Sequence, residues 1–441
     1  MNIREFSDRV LAAAKAAGID PAEISYSESA SFSAQARLGK LEDYQVSDRI
    51  SFVLRGAVGG RIGTASTQAI DEDSIALLVR GVTESAELIE TDEQDDILPP
   101  DEHYETVVNW KPELESVTAG EKIERVMALD RCVCRADSRI TPEHSVVSSG
   151  SETFCLRNSL GLDLSHSSNM IYAYTSVMAR EDGHTATGGK LLWGYGLEDV
   201  DAQTLAQSAV SDALSKLNAG RMKSGVYPVV IRNSAMGDLL ATFSGVFSAD
   251  NAQKGLSLLA GKEGTAIASP AVTLVDDPLM PWGMGSCPFD REGAATMTKN
   301  VIDGGVLRTL LHNRKTARKA GVQTTGNAAG AGTVAPSNLY IAPGQAPLDD
   351  LLARMGDGLL ITEVSGLHAG ANPISGDFSL LSRGFEIANG QIQRAVEQFT
   401  VAGNFFTLLQ EIEGVGSDLL FEGSPIGSPS VAVKALHIAG E

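Results

Sequence analysis

The sequence predicts an α+β fold in two domains, residues 1–220 and 221–441, each mixing antiparallel sheets with packed helices. Three observations carry that expectation. Strand-like and helix-like segments follow one another without the strict alternation of a doubly wound sheet. The stretch ISYSESASFSAQARL, residues 24–38, sets polar residues at nearly every second position, the period of a strand with one wet face. Residues 218–224, NAGRMKS, read as a helix stop followed by a linker, which sets the boundary.

Taken in order, residues 1–18 carry Phe6, Val10, Leu11 and Ala14 at amphipathic-helix spacing. Strands are expected at 23–37, 40–47, 50–55 and 59–68, then a helix at 71–88. Asp71, Glu72 and Asp73 mark its start, because acids suit the positive end of the helix dipole. Residues 90–118 are dense in acids and broken by Pro99, Pro100 and Pro112, so they read as an extended surface crossing. Their spacing lacks the glycine turn and terminal glutamate of a calcium loop. A helix at 120–136, with Ile123, Val126, Met127 and Leu129 along one side, leads into strands at 145–158, 163–180 and 184–192. Helix then meander is thus met twice, the order a duplication would leave, although the two segments share no visible sequence similarity.

A helix at 198–217 closes the first domain. Beyond the linker, 226–231 reads as a buried strand, 235–247 as an apolar helix, and Val272, Leu274 and Val275 as part of another strand. Further strands are expected at 338–341, 359–364, 380–387, 392–400 and 431–436, with helices at 348–355 and 404–411.

Composition narrows the function. A hydrophobic content of 43% and a charged content of 21% fit a globular protein, and no run of about 18 apolar residues is present to span a membrane. The opening segment has no signal-peptide core, so the cytoplasm is the expected location. A net charge of −21 repels polyanions and argues against nucleic acid as a partner. Arg314, Lys315, Arg318 and Lys319 are the one local basic cluster, which reads as a solvated helix face. Four cysteines without a C-x-x-C pair are no disulfide framework.

The most specific local chemistry lies in residues 281–330. A Gly/Pro-punctuated loop carries Cys287, Pro288, Phe289, Asp290 and Glu292. Two strand-like pieces flank Asp303-Gly304-Gly305, a hairpin signal. A short basic helix at 313–320 precedes a second glycine-rich loop at 321–332 with Thr324 and Asn327. The loops are either plain connectors or the frame of a cleft. No two of the seven histidines lie within a helical turn of each other, and H-E-x-x-H is absent. G-x-S-x-G, the phosphate loop and G-x-G-x-x-G are absent too. Cys287 with His312 is a candidate thiolate–imidazole pair, since a neighbouring imidazolium lowers a thiol pKa, but sequence alone does not bring the two together.

SCPFDREG at 286–293, TMTKNVIDGGVL at 296–307, TARKAGVQTTGNA at 316–328 and ISGDFSLLSRGFEIANGQIQRAVEQFTVAGN at 374–404 resemble the TldD/PmbA family, also called candidate modulators of DNA gyrase. The likeness is nearest to its PmbA/TldE branch. The resemblance implies a two-domain protein of a cytosolic peptidase system, whose TldD-like member carries an H-E-x-x-x-H helix after the first strand of the second domain. Here Ala241, Thr242 and Val246 stand at those positions, and none can ligate zinc or act as a general base.

The resemblance therefore implies a subunit with no metal and no catalytic residue of its own, paired with a TldD-like metallopeptidase and helping to enclose an extended peptide. Zinc is expected only in that partner. A homodimer is the alternative assembly. Cys287, Pro288, Phe289, Asp290, Glu292, Thr324 and Asn327 are the candidate cleft or peptide-binding residues. A self-sufficient hydrolase using Cys287 or scattered metal ligands, and a regulatory protein linked to DNA gyrase, are the alternative functions.

Overall fold

The computed structural model describes residues 1–89, 96–330 and 332–441, and its architecture is α+β. The chain opens with α1 (Ile3–Ala16), β1 (Ala22–Arg37), β2 (Lys40–Val58), β3 (Arg61–Thr67) and α2 (Glu72–Glu87). After α3 (Pro112–Ser116) come α4 (Ala119–Ala136), β4 (Ile140–Asn158), β5 (Asp163–Glu181), β6 (His184–Gly194) and α5 (Ala202–Ser215). The six strands form one antiparallel sheet in the order β3-β2-β1-β4-β5-β6. Two helix–meander–helix units therefore meet at the β1–β4 pair and run outward in opposite directions.

All four long helices cover one face. Phe6 and Val10 of α1 and Leu78 and Val82 of α2 pack on Ile24, Tyr26, Phe52 and Leu54. Val126, Leu129 and Val133 of α4 and Leu205 and Ala209 of α5 pack on Phe32, Ala34, Val147 and Ile171. Because successive side chains of a strand alternate faces, Ser25, Ser27, Ser29, Ser31 and Ser33 lie on the other side. On that side Phe154 and Leu156 of β4 join Leu162 and Phe289 in a buried cluster, which docks the sheet on the second half of the chain.

The second half contains β7 (Gly225–Ile231), α6 (Asn233–Phe243), α7 (Ala249–Gln253), β8 (Leu274–Asp276), β9 (Lys299–Asp303), β10 (Val306–Leu307) and α8 (Arg314–Ala320). It continues with β11 (Ala328–Gly330), β12 (Thr333–Val334), β13 (Leu339–Ile341), β14 (Gly358–Ser365), β15 (Asp377–Ala388), β16 (Gln391–Asn404), β17 (Ile412–Val415), β18 (Ile426–Gly427) and β19 (Val431–Ala439). One sheet runs β16-β15-β14-β7-β19-β17, and β16 also pairs with β19, so five of its strands close into a ring. A second sheet runs β10-β9-β8-β13-β18. Antiparallel pairing dominates, with β7–β14 and β13–β18 parallel. Helix α6 packs against β14 of the first sheet and β18 of the second.

Several expected boundaries move for identifiable reasons. Segments 40–47 and 50–55 are one 19-residue strand, since Asp48 and Arg49 continue the ladder opposite Ala30 and Ser29. Asp201 caps α5, accepting from the Thr204 N–H at 2.8 Å, so that helix starts at Ala202 and not at 198. The apolar helix expected at 235–247 ends at Phe243 and tightens into a 3₁₀ turn, Ser244–Phe247. Of the acidic crossing, residues 90–95 lie outside the described residues. Its remainder is more than a surface run: Ile97, Asn109 and Leu114 are buried and Pro112–Ser116 is helical.

Candidate functional site

Asp290 organises the first loop. It is 6% exposed; its Oδ1 accepts from the Glu292 and Ala294 N–H groups at 2.9 and 3.0 Å, and its Oδ2 from the Ala328 N–H at 3.0 Å. Burial pushes this carboxyl up, against the pull of those three N–H groups. One side chain thus closes the 290–294 turn and ties it to β11. Gly293 completes the turn at φ 74°, where a Cβ would sit 2.8 Å from Leu162 Cδ2 and 3.0 Å from Leu156 Cδ2. Its carbonyl accepts from Tyr104 Oη at 2.9 Å. Glycine is demanded there by both the left-handed backbone and the close approach of the first sheet.

The other candidates are placed as follows. Glu292 accepts from the Arg314 N–H at 2.9 Å, at the first turn of α8. The Pro288 carbonyl accepts from the Thr296 N–H at 3.1 Å. Phe289 is 2% exposed and packs edge-on to Tyr104, with ring centroids 6.4 Å apart. Thr324 Oγ1 donates to the His312 carbonyl at 3.1 Å and accepts from the Gly326 N–H at 3.2 Å.

Asn327 is 3% exposed and joins a buried polar network. Its Nδ2 donates to Asp276 Oδ2 at 2.8 Å and to the Ala335 carbonyl at 3.0 Å, while its Oδ1 accepts from Lys299 Nζ at 3.0 Å and Thr325 Oγ1 at 2.7 Å. Lys299 and Asp276 form an ion pair at 2.9 Å with side chains 9% and 0% exposed.

A cavity of about 330 Å³ lies between these loops and the inner face of the first sheet. Cys287, Phe289, Asp290 and Asn327 line it; so do Glu152 and His166, from strands β4 and β5. Arg291 bridges the two halves: its guanidinium lies 4.2 Å from the Phe154 ring centroid and pairs with Glu152 at 2.8 Å. Arg291, the one Lys or Arg among the described residues lining the cavity, is thus paired, and the volume falls in the range of small ligand sites.

Burial pushes the Cys287 thiol up to about 11, so it is protonated at neutral pH. His312 is 4% exposed, faces Thr316 Oγ1 with Nδ1 at 3.2 Å, and burial holds its pKa below the usual imidazole value. Both shifts oppose the charged forms of a thiolate–imidazolium pair. His166 is moved the same way, and its buried Nε2 finds no hydrogen-bond partner among the described residues.

The helix at the expected metal position fits no zinc ion. Ala241 and Thr242 are half-buried on α6, and Thr242 spends its hydroxyl on the Asp238 carbonyl at 2.8 Å. Val246 lies past the helix end, 1% exposed within the core of the second half. Among the described residues no three His, Cys, Asp or Glu side chains are grouped to hold a metal. Asp238, one turn before Thr242, is pushed up to about 6 by burial and by Glu422 and Glu363.

Sequence reasoning missed Glu152, His166, Arg291 and the Asp276–Lys299 pair. Arg291 stands inside the SCPFDREG motif, which was the available signal. Glu152 and His166 reach the cavity only through the docking of a distant sheet.

Residues 22–86, 112–217 and 224–440 match family profiles described as PmbA/TldA metallopeptidase domain 1, central domain and C-terminal domain. Metalloprotease PmbA of Escherichia coli O157:H7 is 27% identical over 435 residues, 96% of this chain and 93% of that protein. A metalloprotease TldD homolog from Haemophilus influenzae is 30% identical over 318 residues, 68% of this chain and 66% of that protein. A Thermotoga maritima protein, described as a candidate modulator of a DNA gyrase, superposes with a TM-score of 0.94 at 32% identity, covering 99% of this chain and 100% of that chain. TldE from Thermococcus kodakarensis shares the fold, with a TM-score of 0.90 at 21% identity and coverage of 99% and 100%.

Proposed function

This chain belongs to the PmbA/TldD/TldE metallopeptidase family, and from that premise we propose that it is the metal-free subunit of a cytoplasmic two-chain peptidase. The observation that carries the reading is the chemistry of α6 and the turn after it: Ala241, Thr242 and Val246, which the sequence resemblance sets against the family's metal ligands and base, carry no group that binds zinc as those do, and Val246 is core. A TldD-like partner supplies the zinc and the cutting residues. This chain supplies a wall of the cleft that holds an extended peptide.

The cavity beside Cys287, Phe289 and Asn327 suits that role, since small and apolar residues and strand β11 line it together with the polar Glu152, His166, Asp290, Arg291 and Asn327. Asp290, Glu292 and Thr324 serve it as loop supports, since their polar atoms are engaged within the fold. The protonated Cys287 thiol speaks against a thiol hydrolase in this chain.

Co-expression with a TldD-like chain tests the reading. The expected result is a stable complex that cleaves unstructured peptides, with zinc stoichiometric to the partner and absent from this chain purified alone. Failure to associate at micromolar concentration, or zinc-dependent cleavage by this chain alone, overturns it.

A further inference from the structure

The cavity between the second half's loops and the first sheet is short of donors. Among the groups that line it, Thr296 Oγ1 is spent on the Cys287 carbonyl at 2.5 Å, Ser286 Oγ on the Met280 carbonyl at 2.7 Å, and Asn327 Nδ2 on both Asp276 and the Ala335 carbonyl. Its acceptors are less filled. Glu152 gives Oε1 to Arg291, and among the described residues its Oε2 meets no donor. Asp290 Oδ2 takes one N–H, from Ala328, and has room for a second. His166 stands opposite Phe154 in the β4–β5 ladder, diagonal to Glu152 on the same face. Its buried Nε2 meets no partner among the described residues.

We propose that this cavity holds the ammonium group of a peptide, at its amino terminus or on a lysine side chain, between Glu152, Asp290 and His166. That the ligand is a peptide rests on the two-chain peptidase reading; that it is an ammonium rests on the cavity alone. Two carboxyl groups line the cavity against one guanidinium, so a cation offsets an excess that an anion would deepen. An ammonium has three N–H donors and no acceptor, which suits acceptors arriving from β4, β5 and the 290–294 turn.

The acceptors are also held in place. Arg291 stacks on Phe154 and grips Glu152 by Oε1, which leaves Oε2 pre-oriented as the open acceptor. Burial lowers the His166 pKa, so at neutral pH the ring is uncharged and one of its nitrogens accepts. A carboxylate would find one cationic partner here, Arg291, whose charge Glu152 already meets.

Calorimetric titration of the full chain alone tests it, with trialanine amide as the probe, since that peptide carries one ammonium and no carboxylate. Binding is expected, and N-acetyl-trialanine amide should bind at least about tenfold more weakly, the worth of one charge-assisted hydrogen bond. Whichever of trialanine amide and N-acetyl-alanyl-lysyl-alanine amide binds more tightly names the source of the ammonium. His166→Phe, which removes the acceptor, should weaken the tighter probe by a similar factor, and His166→Gln, which restores one, should recover part of the loss. That recovery separates a lost contact from lost folding. The proposal is overturned by tighter binding of N-acetyl-trialanine with a free carboxylate, by equal affinity for free and acetylated amides, or by no binding of either ammonium probe up to about 10 mM. A His166→Phe chain that binds as the wild type does, or a His166→Gln chain that binds no better than His166→Phe, overturns it too. None of these outcomes bears on assembly with a TldD-like chain or on its zinc, so the site and the peptidase reading fail separately.

Discussion

Asp238 shows how one side chain on the degenerate helix keeps a mark of its surroundings. Its carboxyl is pushed from 3.8 to about 6, first by burial and then by Glu422 and Glu363, while contact with solvent screens part of that repulsion. A raised folded-state pKa means that the folded chain binds more protons between those values. Stability from this group is therefore highest below pH 4 and is lost as pH rises through 6. Asp238→Asn is accordingly expected to raise the thermal midpoint at pH 8 and leave it unmoved at pH 4. Equal shifts at both pH values would refute that account. Such a residue is illegible in sequence, because an aspartate on a helix surface reads as solvated until the carboxylates from residues 363 and 422 are brought near. The 290–293 turn was half legible. Gly/Pro punctuation and the SCPFDREG motif marked the loop, yet the partners of Asp290 and Gly293, Ala328 and Leu162, are set only by tertiary structure.

Elements that depend on local chemistry were read from sequence, and those that depend on packing were not. Gly304 and Gly305, at φ 54° and 83°, turn the β9–β10 hairpin, and Asn313 caps α8 through the Thr316 N–H at 2.9 Å. The end of α6 was not legible, because Val246 and Phe247 continue an apolar pattern into a 3₁₀ turn that the core imposes. The link between β8, β9 and the 324–327 loop is likewise a tertiary construction, the Asp276–Lys299–Asn327 network. Lys299→Met would leave Asp276, which has no exposed surface, without its cation. The expected loss is about 3–5 kcal/mol, read as a lower urea midpoint. Arg394→Met, which removes an exposed pair with Glu386 (side chains 47% and 37% exposed), should cost under about 1 kcal/mol. If the two variants fall equally, the buried network is not what holds these elements together.

At the scale of the molecule, the candidate cleft exists only because a helix-backed sheet lies face-down on the loops of the second half. Two-residue periodicity in residues 24–38 foretold a wet face. It could not foretell that this face would meet another part of the same chain, since serine suits solvent and a polar interface alike. The join has an apolar anchor, Phe289 among Phe154, Leu156, Leu162 and Tyr104, and polar ones that include Arg291 on Glu152, Trp193 on the Phe421 carbonyl, Asn109 on the Ser286 carbonyl and Lys216 on Glu363. Phe289 is the largest apolar side chain that the loops contribute to that cluster, so Phe289→Ala should cost about 3–5 kcal/mol. Its signature should be spatial. Hydrogen exchange is expected to quicken on both sides of the join, in residues 154–164 of the first sheet and in 287–296, while the Phe6–Phe52 core beneath α1 stays protected. Quickening confined to 287–296 would mean that the sheet is held by its other anchors and that the cleft survives without Phe289.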